Sequence, residues 1–140
     1  MRGFEGDRVI SDPYFFPLYE VASELNLPIC VHAGCGNPAY VTLTQGEAYA
    51  RNNLPVITAF PSFVFHNVPM MFPKLPFLFV EVSANWLPYI ITDLERRVGR
   101  EGRTLGRNIL ADNNMFVACQ TNDDLPHIID TVGDANLLLG

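Results

Sequence analysis

The sequence predicts an α/β fold built on parallel strands, and three observations carry this reading. Four short apolar runs, at 28–33 (PICVHA), 77–82 (FLFVEV), 115–119 (MFVAC) and 136–139 (NLLL), read as strands, the first suited to burial on both faces. Segments with helical apolar spacing precede or separate them. The order is strand, helix, strand, helix, with no tight sequence repeat and no domain linker, a pattern that gives parallel sheets with right-handed crossovers. Four such strands make either a small open sheet or half of an eight-stranded barrel.

Each element has its own local reason. A helix is predicted over 12–26, where Asp12 can cap and Pro13 suits the first turn. Its apolar face is Phe15, Leu18, Tyr19, Ala22 and Leu25, and Asn26 and Pro28 end it. Residues 42–51 read as an exposed helix, and 57–72 as a more apolar one interrupted by Pro61 and Pro69. The segment Trp86 to Arg97 is helical and ends in basic residues. The stretch 98–114 has glycine at 99, 102 and 106 and reads as a loop. A last helix over Asp123–Val132 carries the stripe Leu125, Ile128, Ile129 and Val132, and Gly133 closes it. The final run, 136–140 (NLLLG), would leave strand and edge groups uncovered, which few complete domains do. Truncation is therefore expected, with the four strands exposing two bare edges.

Composition narrows the function classes. The 140 residues fit one domain, 49% of them are hydrophobic, and 17% are charged, below the usual level of about 25%. A net charge of -6 without any basic run argues against a nucleic-acid partner. The first nine residues carry Arg2, Glu5, Asp7 and Arg8 with no apolar core behind them, unlike a secretory signal. No apolar run reaches the 18 or so residues of a membrane helix. Three cysteines, two of them separated as Cys30 and Cys35 rather than as CxxC, are expected as free thiols in a reducing cytoplasm. The expected partner is a small-molecule substrate, with neither nucleic acid nor membrane.

Chemistry concentrates at strand ends. His32 closes the first strand, and in parallel α/β proteins that end holds ligands and catalytic groups. Glu81, near the same end of the second strand, is a carboxylate in an apolar run, costly unless paired, hydrogen-bonded or on a metal. Cys119 closes the third strand. The bland alternatives stand beside these readings: His32 as a hydrogen-bonded structural residue, and Glu81 as the partner of an arginine or of loop amides. His66 is expected on a helix near the barrel mouth, Trp86 beside Pro88 is either packing or a substrate platform at that mouth, and His127 is exposed without a role. No GxSxG, P-loop or GxGxxG occurs, which removes the usual serine-hydrolase and nucleotide arguments.

Three stretches then resemble a known family. DPYFFPLYEVASELNLPICVHAG, MMFPKLPFLFVEVSANWLPYIITDLERR and FVACQTNDDLPHIIDTVGDANLLLG are similar, in order and spacing, to consecutive units of the amidohydrolase-related (amidohydrolase 2) family of hydrolases and decarboxylases. The resemblance spans nearly the whole chain. It implies a metal-dependent (β/α)₈ TIM barrel, of which residues 1–140 would form a single partial domain, about strands five to eight. It also implies one divalent metal, often zinc, held by an HxH pair on strand one, a strand-five histidine and a strand-eight aspartate. By position His32 corresponds to the strand-five ligand, while the HxH pair and the aspartate have no counterpart here. Glu81 stands where many members carry a strand-six histidine, so an acid–base role or a hydrogen bond to a metal ligand is implied for it. Trp86 and His66 are the candidate substrate-binding residues.

The expected function is thus a fragment of a metal-dependent hydrolase or decarboxylase acting on a small organic acid or carbonyl compound, inactive alone because it lacks most of the metal ligands. Two other readings stand against it: a non-catalytic half-barrel that covers its edges by assembling with another chain, homo-oligomerisation included, and a small complete α/β binding domain.

Overall fold

The structure, a computed structural model, describes all residues 1–140. Its centre is a four-stranded parallel sheet in the order β3 (Ile29–His32), β4 (Phe77–Val80), β5 (Met115–Cys119), β6 (Leu137–Leu139), preceded by a small antiparallel hairpin, β1 (Phe4–Glu5) and β2 (Arg8–Val9). The helices between are α1 (Phe16–Glu24), α2 (Pro38–Leu43), α3 (Ala48–Asn52), α4 (Leu54–Phe65), α5 (Val68–Met71), α6 (Leu87–Gly99), α7 (Ile109–Asp112) and α8 (Leu125–Val132). This is the expected partial-barrel architecture of parallel strands with flanking helices.

Side-chain alternation divides the sheet into two rows. Ile29, Val31, Phe77, Phe79, Met115 and Val117 are all buried and belong to one core cluster with Tyr19, Phe60, Phe63, Leu94 and Ile128 of the helices. Phe63 lies 4.7 Å from Phe77 and 6.1 Å from Phe79 between ring centroids, and Tyr19 stands edge-on to Phe77 at 5.6 Å. The other row, Cys30, Leu78, Val80, Phe116 and Leu138, is half-buried. In a closed barrel that row would meet strands from the far side. Here it remains an open, apolar face.

The β3 edge is not bare. The Met1 ammonium donates to the Cys30 carbonyl at 2.6 Å, the His32 amide donates to the Met1 carbonyl at 2.8 Å, and Arg2 bridges to His32 in parallel. The expectation of two open edges is corrected to one, because the first residues are extended and their backbone pairs with β3. On the other side β6 has no outer partner, and Leu139 is 96% exposed.

Several boundaries differ from expectation for identifiable reasons. The first helix begins with a 3-10 turn at Pro13–Phe15, and only Tyr19 and Ala22 of α1 are buried; Leu18 and Leu25 face solvent. The expected helix over 42–51 is split into α2 and α3 by Gln45 and Gly46, both with positive φ. Pro61 does not interrupt α4; the break comes at Asn67, whose φ is 57°. Pro61 has no N–H to offer the carbonyl of Ile57, so α4 runs through it with that hydrogen bond unmade. Residues 98–114 are not all loop, because Ile109 and Leu110 bury themselves in α7.

Tyr19 links the hairpin end to the core by donating its hydroxyl to the Ile10 carbonyl. Burial pushes its phenol well above the usual value. The unfolded chain therefore loses this proton first, and stability falls as pH rises above about 10, by up to about 1.4 kcal/mol per pH unit. Tyr19→Phe should flatten that alkaline slope in urea melts at pH 9 to 11. At neutral pH it should cost about 1–3 kcal/mol, because the Ile10 carbonyl is left without its donor.

Candidate functional site

The parallel register sets His32 opposite Val80 at the C-terminal end of the sheet. By alternation His32 shares the open face with Cys30, Val80, Ala118 and Leu138. The next position along β4, Glu81, would point to the helix side if the strand continued. Instead β4 stops at Val80, and Glu81 adopts φ 63°, a left-handed conformation rare for a residue with a Cβ. The turn re-aims its carboxylate so that Oε2 lies 3.2 Å from His32 Nε2. Glu81 is thus not a carboxylate buried inside a strand, as the apolar run suggested. It is exposed, just past the strand end.

The histidine has a defined second contact, 3.1 Å from Nδ1 to the Ala33 carbonyl. When Nδ1 carries the proton and donates there, Nε2 of the neutral ring presents a lone pair to the Glu81 carboxylate. Two acceptors facing each other repel, so the contact becomes attractive when a proton or another cation sits between them. Such a backbone-held Nδ1–H is also the usual way a metal-binding imidazole is oriented.

The glycine-rich loop after β3 is pinned over this end. Gly34 donates its amide to the Asn52 carbonyl at 2.9 Å, and Gly36 donates to the Phe4 carbonyl at 2.7 Å. A Cβ on Gly36 would lie 2.4 Å from Glu5 Oε2 and 2.7 Å from the Phe4 oxygen, so only glycine fits that approach. Arg2 Nη2 and Glu5 Oε2 form an ion pair at 3.0 Å beside it. Burial alone would raise the Glu5 carboxyl, but hydrogen bonds and charge from Arg2, with the charge of the N-terminus, outweigh it and hold the group below its usual value.

The other candidates lie elsewhere. Trp86 sits at the N-terminus of α6, 91% buried, donating its indole N–H to the Ser83 carbonyl at 2.7 Å and meeting Phe60 edge-on at 5.2 Å. His66 caps the C-terminus of α4. Both residues border an open groove of about 560 Å³ between α4 and α6, which includes Tyr89, Asp93 and Arg97 but neither His32 nor Glu81. Cys119 is buried at the end of β5; burial first, then the charge of Asp123, pushes its thiol up, and all three cysteines are free. His127 is exposed in α8.

For a metal, the residues present do not suffice. Nowhere do three or more His, Cys, Asp or Glu side chains converge in a way that would hold an ion. A catalytic zinc site needs three protein ligands as a rule. His32 and Glu81 supply two ligand side chains.

Among solved structures the chain is similar to an amidohydrolase from Mycobacterium avium subsp. paratuberculosis, with 18% identity and a TM-score of 0.74 over 94% of this chain and 36% of that one. It is also similar to 5-carboxyvanillate decarboxylase from Sphingomonas paucimobilis, with 13% identity and a TM-score of 0.72 over 98% of this chain and 46% of that one. A third, 5-carboxyvanillate decarboxylase from Novosphingobium aromaticivorans complexed with manganese and 4-hydroxy-3-methoxy-5-nitrobenzoic acid, has 14% identity and a TM-score of 0.71 over 95% of this chain and 42% of that one. The chain therefore has the fold of part of these proteins and spans less than half of their length. No protein-family model and no curated protein matches it. No helix is long and apolar enough to cross a membrane.

Because the Glu5 carboxyl is held low in the folded state, its contribution is present at neutral pH and is lost as pH falls through the folded value. Glu5→Gln should cost about 0.2–1 kcal/mol at pH 7, a small figure because the Arg2 side chain is half exposed. In urea melts from pH 7 down to pH 3, the gap between the variant and the parent chain should close.

Proposed function

We propose that the chain is the His32-bearing portion of a metal-dependent amidohydrolase-type barrel that hydrolyses or decarboxylates a small organic acid or related carbonyl compound, and that it is inactive alone. The observation that carries this reading is the His32–Glu81 pair at the C-terminal end of a parallel sheet, where barrel enzymes place their chemistry. The fold shared with an amidohydrolase and with decarboxylases, one of them holding manganese, supports the same reaction class. In it His32 is a ligand of a divalent metal, zinc or manganese, and Glu81 is the adjoining carboxylate that accepts or returns a proton. The remaining ligands come from outside these residues.

Two measurements test this. In equilibrium dialysis against Zn²⁺ or Mn²⁺ with plasma mass spectrometry, the chain should retain metal weakly, His32→Ala should abolish retention, and Glu81→Gln should weaken it about tenfold. Stoichiometric metal unchanged in His32→Ala would overturn the ligand assignment. The chain alone should not decarboxylate 5-carboxyvanillate; turnover would overturn its inactivity in isolation.

A second reading has its own support in the open row Cys30, Leu78, Val80, Phe116 and Leu138 and in the unpartnered β6. A half-barrel with one apolar face uncovered gains by covering it, and a second copy packed face to face across this row would do so. Sedimentation velocity at micromolar concentration should then show a dimer, which Phe116→Asp dissociates. A monomer with a cooperative melt would remove this reading.

A further inference from the structure

The turn that carries Glu81 is held from another loop. Glu81 and Ser83 both have left-handed φ, 63° and 61°, with the buried Val82 between them. Neither residue favours that conformation, so the surroundings must impose it. The turn is met by the Asp123 carboxylate, from the loop between β5 and α8. One oxygen accepts the Ser83 hydroxyl, and the other accepts the Ala84 amide at 2.9 Å and the Gln120 amide at 2.7 Å. Ser83 Oγ in turn accepts the Asn85 amide at 3.2 Å, the Ser83 carbonyl accepts the Trp86 indole at 2.7 Å, and Asn85 Oδ1 accepts the Asp124 amide at 2.8 Å.

We propose that Asp123 is the positioning residue of the site, clamping the turn after β4 so that Glu81 stays against His32. The role rests on the reading of His32 and Glu81 as the reactive pair. Asp123 itself reaches neither side chain; it acts through Ser83 and Ala84. A carboxylate suits the task because it offers acceptors only, and all three of its partners are donors. Asparagine would turn a donor towards one of them.

The chain has a single tryptophan, so its indole N–H resonance reports the turn directly. In Asp123→Asn, at pH 7, that resonance should shift and its hydrogen exchange should speed up at least about tenfold, since one lost hydrogen bond of about 1.4 kcal/mol corresponds to that factor. The nuclear Overhauser contact between the His32 ring and the Glu81 side chain should disappear while the melt stays cooperative. A general loss of stability would not remove that one contact from a folded chain. Should Asp123→Asn fail to fold, Ser83→Ala carries the test, with a weakened His32–Glu81 contact expected. That contact persisting at parent intensity in the folded variant overturns the proposal. The metal-retention result for His32→Ala is independent: its failure would remove the reactive pair's function and leave the clamp itself measurable.

Discussion

The mouth of this half-barrel depends on the register of β3 against β4. Pairing Ile29 with Phe77 places Val31 beside Phe79 on the helix side, where Phe60 and Phe63 fill the space above them. The same register leaves His32 on the opposite face at the strand end. A slip of one residue would turn the imidazole into the aromatic core and bring the core aromatics out. Packing on one side of the sheet therefore fixes chemistry on the other.

The strands were legible because buried parallel strands are short apolar runs, and 115–119 coincides with β5 to the residue. The role of His32 as a mouth residue followed from its place at the end of such a run. Less accessible were features decided by distant contacts. Pro61 reads as a breaker, yet α4 tolerates it; Ile109 and Leu110 are too few to make a periodic signal, yet the core takes both. Glu81 reads as part of a strand, because nothing local announces the turn at that residue. The group that meets it is Asp123, some forty positions later. The doublet Asp123-Asp124 was visible only as a helix start, and Asp124 does cap α8 by accepting the His127 amide. The close approach at Gly36 was equally hidden, because its partners, Phe4 and Glu5, lie on the N-terminal hairpin.

A histidine held by a backbone carbonyl and facing a carboxylate is a coherent unit, but by itself it offers too few ligands for a metal. Completeness here is a property of the barrel, since each strand end contributes one or two groups to a shared centre. The fold likeness to larger enzymes and the shortfall of ligands point to the same arrangement. On the proposed reading, this sheet supplies part of such a centre and the remaining groups come from outside these residues.

The connection from β3 to β4 runs through residues 33–76 and holds α2, α3, α4 and α5. Closing so long a loop is entropically the costliest step in bringing His32 and Glu81 together, although the cost grows only slowly with length. Any cation seated between the two side chains therefore acts as a reversible crosslink between distant parts of the chain. It would stabilise the folded state by mass action, as the logarithm of its concentration once above its Kd, and would slow the separation of β3 from the rest of the sheet.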